Sequence, residues 1–357
     1  MTRSKKQAII LPDGGCMRKR AYLLSAVVFM LCLGVVSAIA PKPVAIALAP
    51  QTDTEKFRRM EELANIIRSY LPDGAVHYLL GGRDLTSRLE LFTQIFMSLQ
   101  ERFHVDIKQK SQCKRLAIVS YKIVKKGQGG WNLAQNVMDY LEQEMGFSLG
   151  SGRFPMRSKL MSIVYGLAQR GQAAFFRYKE FLRYEQAGQP SNEIQPSIAT
   201  QFGIDDYKKI PLDMRQKILT AAYYATGSKN RVSTFQNTIQ HIQTIFGITA
   251  EELSKKPAEG GLELAEKIRL ITAAYAVSLG KEGFTTFQNT IQHIQDTLGI
   301  SDTELKQKVE QGGLPRTQKL KIIAVAYQVV AQKSMGRDAK LDLTNILQEA
   351  GLVALAA

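Results

Sequence analysis

A chain of 357 residues with 45% apolar and 22% charged residues has ordinary globular makeup, which excludes a low-complexity or disordered polymer. Four histidines, three cysteines and no HExxH, P-loop, GxSxG or dinucleotide fingerprint leave little for metal chemistry or for the common hydrolytic and nucleotide chemistries. The net charge of +15 is unevenly placed, with 21 basic against 15 acidic residues over 51–202 and 19 against 16 over 203–357, which argues against one polyanion track along the whole length.

The chain opens on a leader. Arg18, Lys19 and Arg20 precede Ala21–Ala40, which is free of charge. This is the layout of an export signal, with a small-residue cleavage site at Val36-Ser37-Ala38, or of an uncleaved anchor held by residues 21–40. The expectation is therefore export across an inner membrane to a periplasmic, secreted or anchored state. Cys16 and Cys32 belong to this segment, so Cys113 stands alone in the body and can form neither an internal disulfide nor a cysteine zinc site. Pro41–Pro50 is an apolar spacer, and 1–50 forms the leader region.

Residues 51–110 read as an N-terminal helical cap. Thr52-Asp53-Thr54-Glu55 is a capping box opening a helix to about Leu71, Pro72-Asp73-Gly74 is a turn, and Gly81-Gly82 breaks a short apolar segment. A second long helix is predicted over Leu85–Phe103, with Leu89, Phe92, Ile95, Phe96 and Leu99 at helical spacing.

Beyond it the chain repeats. Thr234–Gln243 returns letter for letter at Thr286–Gln295, an offset of 52 residues that also carries Thr220-Ala-Ala-Tyr223 onto Thr272-Ala-Ala-Tyr275. Each copy has a basic residue, an apolar run ending near a Tyr, a loop, an amphipathic helix and a Gly followed by an apolar residue. The Tyr/Gly pairs are Tyr121/Gly146, Tyr165/Gly188, Tyr223/Gly247, Tyr275/Gly299 and Tyr327/Gly351. This gives five copies: divergent copies one and two over 111–188, a polar linker over 189–202, and copies three to five over 203–357.

Within a copy, the first helix (about Ala265–Leu279 in the clearest case) is apolar nearly all round. The second begins at Ser233 or Thr285, with Gln236 or Gln288 completing a capping box, and gathers Phe235, Ile239, Ile242 and Phe246 into one stripe. Gly247 and Gly299 sit where a left-handed C-cap belongs. Thr249–Glu252 and Ser301–Glu304 start a short third helix. The expected fold is thus all-α: a right-handed-type α-solenoid of about five three-helix repeats behind a helical cap. The unit is comparable in scale to armadillo and HEAT repeats, a likeness of architecture that carries no function.

Two surfaces are candidates for function. Opposite the apolar stripe of the second helix lie Asn237, Gln240 and His241, and in the next copy Asn289, Gln292 and His293, with Thr244 and Asp296 flanking them. Amides and imidazoles can donate to and accept from a protein or peptide partner, and stacked copies would align them as a ladder. The plainer account is recent duplication, which copies surface and core alike. As metal ligands the two histidines are poorly spaced, since neighbouring helices stand about 8–10 Å apart.

The alternative surface is basic and suits an anionic polymer or membrane, either nucleic acid or acidic lipid. It comprises Lys108, Lys110, Lys114, Arg115, Lys122, Lys125 and Lys126, with Arg177, Lys179 and Arg183 among the aromatics of Phe175–Tyr184. Its plainer account is that the aromatics are core and the cations a solvated rim. The reading that follows is a non-enzymatic scaffold without catalytic residues, cofactor or metal, binding a protein or peptide partner; an enzyme of unrecognised type is the third alternative.

Overall fold

The computed structural model describes residues 53–81, 84–183, 197–280, 282–334, 347–348 and 350–352. The leader, Thr52 of the first capping box, Gly188, residues 189–196 of the polar linker and the C-terminal 353–357 lie outside the described residues. The chain divides into two compact units, 1–58 and 59–357, and apart from residues 53–58 everything below lies in the second.

Among the described residues the chain is all-helical, with fifteen α-helices and no strand. They are α1 (Asp53–Tyr70), α2 (Asp73–Leu80), α3 (Leu85–Arg102), α4 (Lys110–Val124), α5 (Gly127–Gln143), α6 (Phe154–Arg170) and α7 (Gln172–Leu182). There follow α8 (Ile198–Phe202), α9 (Leu212–Ala225), α10 (Lys229–Phe246), α11 (Ala250–Ser254), α12 (Leu264–Leu279), α13 (Gly283–Leu298), α14 (Asp302–Lys306) and α15 (Arg316–Ser334). No described helix is long and apolar enough to cross a membrane.

The helix signals work locally as physics requires. The predicted face of α3 is buried at Leu89, Phe92, Ile95, Phe96 and Leu99, and the stripe of α10 at Phe235, Ile239, Ile242 and Phe246. The short helices α11 and α14 carry full capping boxes. Thr249 Oγ1 accepts from Glu252 N at 3.1 Å while Glu252 Oε2 accepts from Thr249 N at 2.9 Å, and Ser301 and Glu304 do the same.

Three expectations need correction. The second helices start earlier than Ser233 and Thr285, because Ser228 already caps α10 by accepting from Arg231 N, and α13 begins at Gly283. Ser233 sits inside α10, with its hydroxyl turned back to the Lys229 carbonyl. Pro72-Asp73-Gly74 is not a turn but the start of α2, with extended Pro72 at the cap and Asp73 in the first turn, where the dipole favours it. The end of the expected linker is packed structure: Ser197 accepts from Thr200 N and opens α8, whose Ile198 and Phe202 are fully buried.

The first helices of the copies, α4, α6, α9, α12 and α15, pack successively side by side. The second helices pack against them, α10 on α12 and α13 on α15, while α8 lies on α11 and α10 on α14. The closeness of those last two contacts depends on glycine. Gly203 and Gly247 hold φ of +58° and +62°, and a Cβ there would run into the carbonyls of Ser254 and Lys306.

Candidate functional site

The five first helices come into register when each is counted from its first residue. The fourth position holds Arg157, Arg215, Lys267 and Lys319 in α6, α9, α12 and α15, with Cys113 in its place in α4. Arg215, Lys267 and Lys319 are only 4–7% exposed. Each of the four cations donates to carbonyls at the C-terminus of an earlier helix. Arg157 Nη1 reaches Phe103 O (2.7 Å) and His104 O (2.5 Å) beyond α3. Arg215 Nη1 reaches Met145 O (2.9 Å) and Gly146 O (2.6 Å) beyond α5. Lys267 Nζ reaches Phe202 O (2.8 Å) and Lys319 Nζ reaches Phe246 O (2.9 Å), the last residues of α8 and α10.

Three of these cations also hold the connector that precedes their own helix. Arg215 Nη2 donates to Lys208 O and Ile210 O, Lys267 Nζ to Lys255 O, and Lys319 Nζ to Gln307 O. Helix C-termini present unsatisfied carbonyls and the negative end of the dipole, so a buried cation here is paired without a carboxylate. Burial pushes the Lys267 and Lys319 ammonium groups below the ordinary lysine value, with Asp205 and Glu252 partly opposing. The residue after the first carbonyl gripped at each helix end is left-handed: Gly146, Gly203 and Gly247, and at α3 the non-glycine His104, φ +46°.

The sixth position is also cationic in every first helix: Arg115, Lys159, Lys217, Arg269 and Lys321, the last four exposed. The twelfth is always tyrosine, at Tyr121, Tyr165, Tyr223, Tyr275 and Tyr327. Between them the ninth position carries Ser162, Thr220 and Thr272 in the three middle helices. Positions six, nine and twelve fall on one face, part of which lines a furrow of about 290 Å³ over α6, α9 and α12; of the sixth-position cations Lys159 and Lys217 line it, and Arg269 and Lys321 lie outside it. Lys159, Ser162, Lys217, Thr220, Thr272 and Tyr275 all contribute to it. The five helices together hold fifteen Lys/Arg and only Asp213 and Glu266 as acids. Among the described residues, no ion pair engages Lys159, Lys217, Arg269 or Lys321.

The ring faces along this row are largely covered. Lys122 lies 4.7 Å over the Tyr165 ring and Arg170 lies 4.3 Å over Tyr223, while Tyr224 and Tyr275 stack on each other at 5.4 Å. The hydroxyl of Thr220 makes no hydrogen bond within the protein.

The amide row of the second helices is arranged less uniformly than its sequence. Asn237, Gln240, Asn289, Gln292 and His293 are exposed, and Gln292 Nε2 donates to Asp296 Oδ1 at 3.0 Å. His241 is half-buried instead, its ring edge-on to Phe284 (5.6 Å) and Phe287 (6.3 Å) of α13, and burial lowers its pKa. One of the six residues therefore serves helix packing.

The basic-aromatic set is dispersed. Phe175, Tyr178 and Phe181 are buried in the core and Phe176 is exposed, while Tyr184 lies outside the described residues. Arg102, next to this set, pairs with Asp139 and Glu142. Arg115 donates to Ser162, Lys179 lies 5.5 Å over Tyr140, and Arg183 lies 3.9 Å from Glu144. Lys125 sits 5.9 Å over Tyr121, and Lys108, Lys110, Lys114, Lys126 and Arg177 point into solvent.

Cys113 is buried and its thiol is pushed up by burial, the opposite of what a nucleophile needs. Among the described residues there is no group of three or more His, Cys, Asp or Glu able to hold a metal ion. In comparisons with known proteins, no family, no characterised relative and no solved structure matches the chain.

Proposed function

We propose that this chain is a non-enzymatic helical-repeat scaffold, a right-handed α-solenoid of three-helix units, that holds a protein or peptide partner through rows of side chains its repeats align. The observation that carries the reading is the fourth-position cation, which recurs in four helices and each time ties its own unit to the C-terminus of a helix two units back. A contact that recurs at the same position from one unit to the next is what a stack of structural repeats supplies.

From the same contact we infer a shifted register for the array. Phe202–Gly203 meets Lys267 as Phe246–Gly247 meets Lys319, so Gly203 rather than Gly188 partners Tyr165 in the second copy. By the same token we read α2 and α3 as a further, N-terminal unit, with His104 standing for the glycine. The leader adds export or membrane anchorage to the proposal.

The test is co-purification of the tagged full chain beside two variants. One carries alanine at Asn237, Gln240, His241, Asn289, Gln292 and His293; the other carries glutamate at Lys159, Lys217, Arg269 and Lys321. A protein partner kept by the wild type and lost by one still-helical variant supports the scaffold and names its working row. Eluates holding nucleic acid or lipid but no protein contradict it, as does substrate turnover abolished by a single substitution.

A further inference from the structure

Resting on that scaffold reading, we propose that the sixth-position cation row of the first helices, with the furrow beside Lys159 and Lys217, and not the amide row of the second, is the working surface, and that its occupant is an extended, acidic segment of a partner protein. The charge argument is direct. Four exposed cations, Lys159, Lys217, Arg269 and Lys321, stand at one position of four successive packed helices, and none has an ion-pair partner among the described residues. Like charges aligned at helix spacing repel one another, and an anionic ligand relieves that cost. Packed helices stand about 8–10 Å apart, and an extended peptide rises about 3.3 Å per residue. A carboxylate at every third residue therefore keeps step with the cations.

The rest of the surface selects a peptide over the other polyanions. Single-stranded nucleic acid needs open ring faces for base stacking. Here Lys122 covers Tyr165, Arg170 covers Tyr223, and Tyr224 and Tyr275 cover each other. Along the furrow Thr272 presents its hydroxyl, whereas Ser162 Oγ is held between Arg115 and the Ser158 carbonyl and Thr220 Oγ1 is buried. The Thr272 hydroxyl can donate to or accept from an extended backbone. A membrane surface calls for apolar side chains to insert, and the exposed large apolar residues (Leu85, Met97, Ile107, Phe176 and Val309) all lie off the first helices.

The experiment is fluorescence anisotropy of the full chain with a labelled peptide of repeated Glu-Gly-Ser triplets. Oligodeoxythymidylate of equal charge and phosphatidylglycerol vesicles serve as the competing probes. The wild type binds the peptide more tightly than either competitor, and the affinity falls with added salt. The variant K159E/K217E/R269E/K321E loses at least about tenfold, as expected for the loss of four exposed charge contacts. A charge-matched control on exposed lysines off the row, K108E/K209E/K229E/K308E, loses less than about threefold. Circular dichroism checks that each variant is folded, and the milder pair K217Q (weakened) and K217R (retained) covers the case in which the quadruple variant is not.

Equal losses in the row variant and the control overturn the proposal, as does tighter binding of the oligonucleotide or the vesicles. Should the peptide fail to bind while the co-purification finds a protein partner lost from the amide-row variant, the scaffold stands and this surface assignment alone falls.

Discussion

The paired substitutions Gly247→Ala and Gly299→Ala separate two costs that usually arrive together. Both glycines end a second helix in the left-handed region, at φ of +62° and +66°. An L-residue there costs about 1–2 kcal/mol of backbone strain. At Gly299 a Cβ meets nothing within 4 Å, so strain is the whole penalty. At Gly247 the new methyl would run into the Lys306 carbonyl, which is backbone at the end of α14 and has no rotamer by which to yield. Overpacking of this kind adds about 1–3 kcal/mol. The shift also pulls on Phe246, whose carbonyl is held by Lys319. The expected destabilisation is therefore about 1–2 kcal/mol for Gly299→Ala and about 2–5 kcal/mol for Gly247→Ala. Urea unfolding followed by circular dichroism measures both. Equal losses would refute the close packing of α10 on α14 and leave only the dihedral argument.

Other expectations follow from the same contacts. Lys319→Met leaves two buried carbonyls without a donor and should cost about 2–4 kcal/mol, whereas Lys319→Arg, which repeats the chemistry of Arg215, should cost about 1 kcal/mol or less; thermal unfolding distinguishes them. A methionine variant as stable as the wild type would mean that desolvating the ammonium cancels its hydrogen bonds. His104→Gly relieves left-handed strain at a residue whose helical counterparts are glycines, and after the entropy cost of glycine it should be stabilising by up to about 1 kcal/mol in the urea midpoint. Burial raises the pKa of Tyr178, Tyr207, Tyr223 and Tyr275, the last to about 12. Above pH of about 10 the unfolded chain gives up phenolic protons that the folded chain keeps, so stability falls with rising pH through about 12. Lys267 and Lys319 act oppositely below about pH 10.4, because their folded pKa lies under the unfolded one. The alkaline decline should accordingly steepen only beyond that point, with tyrosinate absorbance at the core residues rising together with loss of helix.

Much of the local structure could be read from residues whose signals are self-contained. The Thr249 and Ser301 capping boxes, the left-handed Gly247 and Gly299, and the buried stripe of α10 each depend on a few neighbours in sequence. Ser228 was overlooked as the cap of α10 because Ser233 offered a fuller box by pattern, whereas the chain takes the first usable cap and lets Lys229–Val232 extend the helix. The role of the fourth-position cations could not be read locally. Each is legible only as a basic residue at the head of an apolar helix; the helix-end carbonyls it grips lie 53–73 residues away and no side-chain pattern marks them. The sixth-position row was within reach, since Arg115, Lys159, Lys217, Arg269 and Lys321 share one register with the tyrosines. Its signal is weaker than the identical letters of the second helices, which mark the amide face instead, where His241 packs on Phe284.

The most direct test of the account is amide hydrogen exchange on the full chain, wild type against Lys267→Met. If each fourth-position cation binds its unit to the two before it, protection is lost in three separated places: around α12 itself, at Phe202–Ile204, and over the connector from Lys255 to Leu262. Loss confined to α12 would contradict the account, because it would make Lys267 a residue of its own helix alone and remove the link on which the repeat reading rests.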